Sequence, residues 1–173
     1  MSNPLAVLRV FSLVLLVFAQ TMLLPAAVAW TGRDPAFTAF EAGFAITAGA
    51  AALLWWLTRR HADALRVRDG FLLVSLVWAV VPAFAAIPLL FFFPTMSFTD
   101  AYFEAVSGLT TPGATVIEGL DTLPFSINLW RALLVFLGGM GLIVLAVAIL
   151  PLLGVGGRQL FSAESPGPIK ETK

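Results

Sequence analysis

The residues most suited to chemistry form one continuous string, Thr110-Thr-Pro-Gly-Ala-Thr115, directly after a short apolar segment from Phe98 to Leu109. The backbone carbonyl oxygens of these residues could coordinate an ion and replace its hydration shell, as carbonyls do in channel filters. Gly113 can adopt dihedral angles that are closed to other residues, which would help the backbone turn its carbonyls toward one axis. The string is therefore a candidate cation-binding loop.

The same string has a plainer interpretation. Threonine, proline and glycine are common turn residues, so the string could be a surface turn that joins two helices. The spacing leaves both interpretations open. Glu104, one element earlier, is either a solvated acid, a charge that attracts cations, or a partner for a neighbouring subunit or repeat. For Asp100 and Asp121 we expect solvent.

A short helix would position the loop. Ser97 and Asp100 have the spacing of a capping box, which predicts a helix that begins near Phe98 and runs inward from the outer surface. The carbonyl end of such a helix carries partial negative charge and favours a cation beyond it. Non-helical backbone within a bilayer is tolerated only where it is buried in protein or lines water or ions.

The composition indicates a membrane protein. The 173 residues are 60% hydrophobic and 12% charged, with a mean hydropathy of +0.96, far more apolar than a soluble domain. Net charge is zero and basic residues are sparse, so we expect no nucleic-acid partner. The chain has no cysteine and one histidine, and it has no nucleophile elbow, so we expect neither an enzyme nor a cofactor.

Four apolar segments have the length of about 20 residues that a helix needs to cross a bilayer. They are Leu5 to Trp30, Phe37 to Leu57, Phe71 to Phe93 and Phe125 to Leu153. Phe98 to Leu109 is too short to cross, which indicates a re-entrant element. The predicted fold is all-α and membrane-embedded. The first segment also has the features of a secretory signal peptide, because Arg9 precedes the apolar run and Ala27-Val-Ala29 has the form of a cleavage site.

Small residues and prolines predict how these helices pack. Gly43, Thr47 and Ala51 recur at four-residue spacing, and a second small-residue face lies at Gly138, Gly139 and Gly141, so close helix approach is expected at both. Pro82 and Pro88 predict a kink in the third span. Arg131 would either reach the membrane interface or pair with an acid such as Asp121.

Orientation follows from the basic residues, which are retained on the cytoplasmic side. Four arginines lie between the second and third spans, whereas the stretch from Asp69 to Leu129 has no lysine or arginine. That stretch is therefore expected outside, and both termini are expected in the cytoplasm.

Three stretches resemble the Trk potassium-uptake family, in its TrkH/TrkG membrane-subunit branch. They are Ser107-Gly-Leu-Thr-Thr-Pro-Gly-Ala-Thr-Val-Ile-Glu-Gly-Leu-Asp121, Leu129-Trp-Arg-Ala-Leu133, and the glycine-rich run from Leu137 to Gly157. The tail Ala163-Glu-Ser-Pro-Gly-Pro168 is similar too. The resemblance implies a potassium-translocation subunit of the cytoplasmic membrane, with four repeats of helix, pore helix with filter loop, and helix in one polypeptide.

The resemblance implies a division of this chain into an extra pair of transmembrane helices, a cytoplasmic loop, a first pore-loop repeat of potassium-channel-like fold, and a cytoplasmic tail, at residues 1–60, 61–70, 71–157 and 158–173. Potassium would be bound by the carbonyls of Thr110, Thr111, Pro112 and Gly113, with Ala114 flanking and Gly113 as the central filter glycine. The family usually has threonine at the position of Pro112.

The implied partners are potassium, the bilayer, the remaining three pore repeats, a second full-length subunit in a dimer, and a cytoplasmic TrkA-like nucleotide-binding regulatory subunit. One repeat gives one quarter of a filter, so we expect this chain to be the N-terminal part of such a subunit or a truncated product. The alternatives are a non-conducting accessory protein that associates through small-residue helix faces, and a ring of four copies.

Overall fold

The computed structural model describes residues 4–61 and 66–152, and this part of the chain contains helices and no strand. The α-helices are α1 Pro4–Thr21, α2 Leu23–Gly32, α3 Phe37–Thr58, α4 Val67–Ala85, α5 Ile87–Phe92, α6 Phe98–Leu109 and α7 Phe125–Leu152. A 3-10 turn, Leu120–Thr122, precedes α7. The predicted all-α membrane fold is confirmed.

Four helical stretches are long and apolar enough to cross a membrane: Pro4–Gly32, Phe37–Thr58, Arg68–Phe92 and Phe125–Ile143. They overlap the four predicted spans, the last of which was predicted to extend to Leu153, outside the described residues. The 12 residues of α6 extend for about 18 Å at about 1.5 Å per residue, well short of a hydrocarbon core of about 30 Å. As predicted, α6 is too short to cross.

The chain forms two compact units, Met1–Gly139 and Met140–Lys173. In the second unit, the described side chains at the start, Met140, Leu142 and Ile143, are exposed apolar groups on the continuing helix α7. The loop after α6 and the residues of α7 up to Gly139 lie within the first unit.

The third span is interrupted as its prolines predict, and the structure locates the break. Helix α4 ends at Ala85 and α5 begins at Ile87, so the helix is broken at Ala86. Pro88 occupies the first turn of α5, where a backbone donor is not needed. Pro82 lies inside α4 and does not end it. The break is therefore at the second proline.

The small-residue face of α3 packs against the helix that contains Pro88. A β-carbon on Gly43 would lie 2.7 Å from Pro88 Cγ and 3.4 Å from Met22 Sδ. Thr47 and Ala51 on the same face are buried, and the Thr47 hydroxyl donates to the Gly43 carbonyl at 2.7 Å. The predicted close approach at this face is confirmed, and it occurs within the chain.

Trp130 fixes the first half of α7 in the core. The side chain is fully buried, and its ring lies 5.9 Å from the ring of Phe18 in α1 and 6.0 Å from that of Phe40 in α3. The indole Nε1–H donates to the carbonyl oxygen of Ala85 at 3.1 Å, next to the break at Ala86. One side chain thus joins α7 to α1, α3 and α4, which sets where α7 lies beside α6.

Candidate functional site

Helix α6 begins at the predicted cap. Ser97 is the N-cap residue; its Oγ accepts from the backbone N–H of Asp100 at 3.1 Å and donates to Asp100 Oδ2 at 2.7 Å. Tyr102 fastens the helix laterally, because its hydroxyl donates to the carbonyl oxygen of Ala79 in α4 at 2.9 Å. Because its first turn is capped and one side is bonded to α4, the C-terminal end of α6 has a defined position.

The loop that leaves α6 has an unusual backbone. Thr110 has φ −89°, Thr111 has φ +74° and Gly113 has φ +66°, while the ring of Pro112 holds its φ near −65°. The sign of φ therefore alternates over four successive residues. A positive φ suits Gly113, but it is a genuine outlier for the β-branched Thr111. The backbone is strained at the residue that precedes Pro112.

The first half of the loop is tied back to the last turn of α6. Three loop N–H groups donate to helix carbonyls: Thr110 to Val106 at 2.8 Å, Thr111 to Gly108 at 2.9 Å, and Gly113 to Ser107 at 3.3 Å. All of the predicted site residues, Thr110, Thr111, Pro112, Gly113 and Ala114, are exposed in this chain. The structure thus brings them together in one exposed loop at the C-terminal end of a short helix.

Glu104 differs from each of its predicted roles, because it is buried and bonded within its own chain. Its exposed fraction is 5%, and Oε1 accepts hydrogen bonds from the outgoing limb of the loop, Thr115 to Ile117. The donors are the Thr115 hydroxyl at 2.5 Å, the Val116 N–H at 2.5 Å and the Ile117 N–H at 3.3 Å. The carboxylate therefore holds the second half of the loop, as the helix carbonyls hold the first half.

Arg131 pairs with an acid, which was one of its two predicted roles, and the acid is Glu104 rather than Asp121. Arg131 Nε lies 3.3 Å from Glu104 Oε2, and the two side chains are 20% and 2% exposed. Asp121 is exposed, as expected for a solvated acid. The ion pair joins α6 to α7 directly behind the loop, so the charge buried at Glu104 has its partner.

The sequence carries a signal for this burial. Ala101, Glu104, Ala105 and Gly108 stand at positions i, i+3, i+4 and i+7, the spacing of one buried helix face, and all four are buried. An acid within such a face must find a partner, and Arg131 is the basic residue of the adjoining helix.

Glycines set the separation of α6 and α7. A β-carbon on Gly108 would lie 2.9 Å from Leu134 Cβ, and one on Gly138 would lie 1.9 Å from the carbonyl oxygen of Leu109. Close packing, predicted for the glycine-rich part of α7, is confirmed at Gly138; Gly139 and Gly141 have no such close neighbour. The C-terminal end of α6 is thus seated directly on α7.

A second polar contact, which the sequence analysis missed, joins the α2–α3 corner to the start of α7. Asp34 Oδ1 accepts from the Ala36 N–H at 2.8 Å, and Oδ2 accepts from the Ser126 hydroxyl at 2.7 Å and the Ser126 N–H at 3.3 Å. The carboxylate therefore caps the first turn of α7 across a long sequence separation, where negative charge is favourable.

No group of three or more histidine, cysteine, aspartate or glutamate residues that could hold a metal ion occurs in the ranges 4–61 and 66–152. The glycines from Gly154 to Gly157 lie outside the described residues. The candidate site in the described part of the chain is the loop and the groups that hold it.

An all-helical fold with four helices long and apolar enough to cross a membrane agrees with the family found by comparison. The TrkH family, described as cation transport protein, matches residues 35–173. The chain belongs to this family. The resemblance that its motifs indicated is confirmed.

Comparison with individual proteins supports the same family. The chain is 48% identical over 169 residues to the Trk system potassium uptake protein TrkH of Salmonella typhimurium, covering 97% of this chain and 35% of that protein. It is 41% identical to Trk system potassium uptake protein TrkG of Escherichia coli, over 90% of this chain and 32% of that one.

A solved relative has the same fold. The crystal structure of the potassium transporter TrkH from Vibrio parahaemolyticus superimposes with a TM-score of 0.82 at 47% sequence identity, covering 90% of this chain and 33% of that chain. The present chain thus spans about a third of the length of the relatives it matches.

Proposed function

We propose that this chain serves potassium uptake across the cytoplasmic membrane, as one of four pore repeats of a TrkH-like translocation subunit. The observation that carries the proposal is the strained loop after α6, with φ +74° at the β-branched Thr111 and φ +66° at Gly113. Backbone strain of this kind costs on the order of 1–3 kcal/mol and persists mainly at sites where it has a use.

The use proposed here is ion coordination by carbonyl oxygens. In an ordinary strand, successive carbonyls point to opposite sides, whereas alternation of the sign of φ allows them to face one side. Carbonyls of Thr110, Thr111, Pro112 and Gly113 would then bind potassium, with Ala114 flanking them. The C-terminal end of α6 adds partial negative charge next to the same loop. Together, the loop carbonyls and the end of α6 favour the binding of a cation although no charged side chain acts as a ligand.

One loop can line only one side of an ion path, so three further repeats must complete the filter. In this proposal residues 1–60 are the extra helix pair, 61–70 a cytoplasmic loop, 71–157 the first repeat and 158–173 a cytoplasmic tail. The basic loop between the second and third spans supports cytoplasmic termini. A second full-length subunit and a TrkA-like regulatory subunit are the proposed protein partners, and no cofactor or nucleic acid is required.

The accessory-protein alternative depended on free small-residue faces, and it is weakened where these faces are buried. Gly43 lies against Pro88, and Gly138 lies against Leu109 of the same chain. The face at Gly43 and the part of the α7 face at Gly138 are therefore occupied within the chain. Transport, which is the activity named for the relatives, remains the function best supported.

The test is Gly113→Asp in the complete gene product, with Gly119→Asp as the matched control. The two glycines have nearly the same backbone conformation, φ +66° and +68°, so both changes carry the same conformational cost, which is small because aspartate tolerates this region. Gly119 lies beyond the loop, and the nearest neighbour of its added β-carbon would be Thr122 Oγ1 at 3.3 Å.

Potassium uptake is measured in cells that lack other uptake systems, and membrane insertion is followed by the amount of protein in the membrane fraction. The proposal predicts normal insertion of both variants and loss of uptake only with Gly113→Asp. Uptake that persists in the inserted Gly113→Asp variant would contradict a filter role for this loop.

A further inference from the structure

A cavity of about 230 Å³ lies behind the loop. Its lining includes Glu104 and Gly108 of α6, Gly113 and Ala114 of the loop, and Arg131 of α7. A β-carbon on Gly113 would have no neighbour within 4 Å. At Gly113 and Ala114 the loop therefore borders open space on this side, and its position there depends on how its two ends are held.

The two ends are held differently. The end next to α6 is tied by backbone groups, which no side-chain substitution removes. The outgoing end, from Thr115 to Ile117, is tied to one atom, Glu104 Oε1, which accepts from three donors. A shift of this limb would be passed on through Ala114 to Gly113, because Ala114 is the only residue between Gly113 and Thr115.

We propose that Glu104 is a positioning residue that sets the discrimination between potassium and sodium by fixing the outgoing limb of the loop, with Arg131 holding the carboxylate in place. This inference rests on the proposed transport function. Whether a filter selects by cavity size or by the field of its carbonyls, selectivity depends on where those carbonyls are held.

The bonding around Glu104 suits this role. Arg131 Nε lies on the Oε2 side, which leaves Oε1 to the limb. With the carboxylate almost fully buried and its charge paired, the Glu104 side chain has little freedom to follow the limb. An ordinary buried ion pair would contribute to folding alone; a positioning role predicts altered ion discrimination at unchanged protein abundance.

The principal variant is Glu104→Gln in the complete gene product. Its side-chain oxygen can still accept from the limb, but its amide N–H groups would then face Arg131, so two donors oppose each other. Adding Arg131→Gln replaces the ion pair by a neutral side-chain pair and removes that conflict. Glu118→Gln is the matched control, because it deletes the same charge from an exposed residue near the loop.

The measurement is potassium uptake in competition with sodium, normalised to the amount of inserted protein. We expect Glu104→Gln to lower the preference for potassium over sodium at least tenfold, Glu118→Gln to leave it unchanged, and Glu104→Gln with Arg131→Gln to recover part of it. Wild-type discrimination in Glu104→Gln would overturn the inference.

If the Glu104→Gln variant does not accumulate in the membrane, Thr115→Val tests the same inference. Thr115 is exposed, so the change should not prevent folding, yet it removes the bond from its hydroxyl to Glu104 Oε1 and the bond that this hydroxyl accepts from the Ile117 N–H. A lowered preference for potassium supports the inference, and an unchanged preference overturns it. Absence of potassium uptake by the wild-type product would instead contradict the proposed function itself, which distinguishes the two failures.

Discussion

Gly138 of α7 lies so close to the carbonyl oxygen of Leu109, the last residue of α6, that a β-carbon on Gly138 would come within 1.9 Å of it. The neighbour is backbone, which cannot rotate away, so any side chain at this position must displace the end of α6. The loop begins at the next residue, Thr110. The α6–α7 separation and the start of the loop are therefore set by the same glycine.

Gly138→Ala is accordingly expected to lower stability by about 1–3 kcal/mol or more, as overpacking does, and to reduce potassium uptake. The purified variant should show a lower midpoint of thermal unfolding in detergent. Gly141→Ala is the control, because a β-carbon there has no neighbour within 4 Å. Equal melting of the two variants would contradict the packing described.

Pro112→Thr tests how much the loop depends on its proline. The residue is exposed, and threonine would regain a backbone N–H there. We expect uptake and potassium preference to stay at the wild-type level in competition assays. A loss of preference would show that the fixed φ of Pro112 is needed to hold Thr111 and Gly113 in their conformations.

Trp130→Phe should destabilise the bundle through a lost hydrogen bond. Phenylalanine keeps an aromatic ring beside Phe18 and Phe40, but leaves the carbonyl oxygen of Ala85 without its indole donor. An unpaired buried acceptor costs about 1–3 kcal/mol, measurable as a lower midpoint of unfolding. Trp56→Phe, at a side chain that is 56% exposed, is the control and should melt like the wild type.

Asp34→Ala should weaken the attachment of α7 to the α2–α3 corner. The change removes the acceptors of Ser126 and Ala36 and is expected to cost about 1–3 kcal/mol. Since the Ser126 hydroxyl bonds to the same carboxylate, Ser126→Ala added to Asp34→Ala should cost little more than Asp34→Ala alone. Additive losses in unfolding midpoints would mean that the two residues do not act together.

The sequence predicted the helices well, because long apolar segments and the Ser97 cap depend on local residue types. It also predicted the close helix packing at Gly43 and the interruption of the third span by proline. It did not predict the partners of Glu104 or Arg131. Such pairings depend on which helix faces meet, and Glu104 reaches Arg131 only because α6 and α7 pack through Gly108 and Gly138.

Like those pairings, the conformation of the loop could not be predicted from residue types alone. Its residue types suggested carbonyl coordination or a simple turn, and spacing could not choose between them. The positive φ at Thr111 could not be foreseen, because β-branched residues avoid that region unless surrounding contacts hold them there. Here the N–H of Thr111 is bonded to Gly108, and the chain beyond it is held by Glu104.

The most direct test of the account is to determine the structure of the complete gene product in rubidium or thallium and to locate the ions by anomalous scattering. The account predicts ion density within coordinating distance of the carbonyl oxygens of Thr110 to Gly113, on an axis shared with three further loops. Ion density confined to other parts of the protein, with these carbonyls facing protein or lipid, would contradict it.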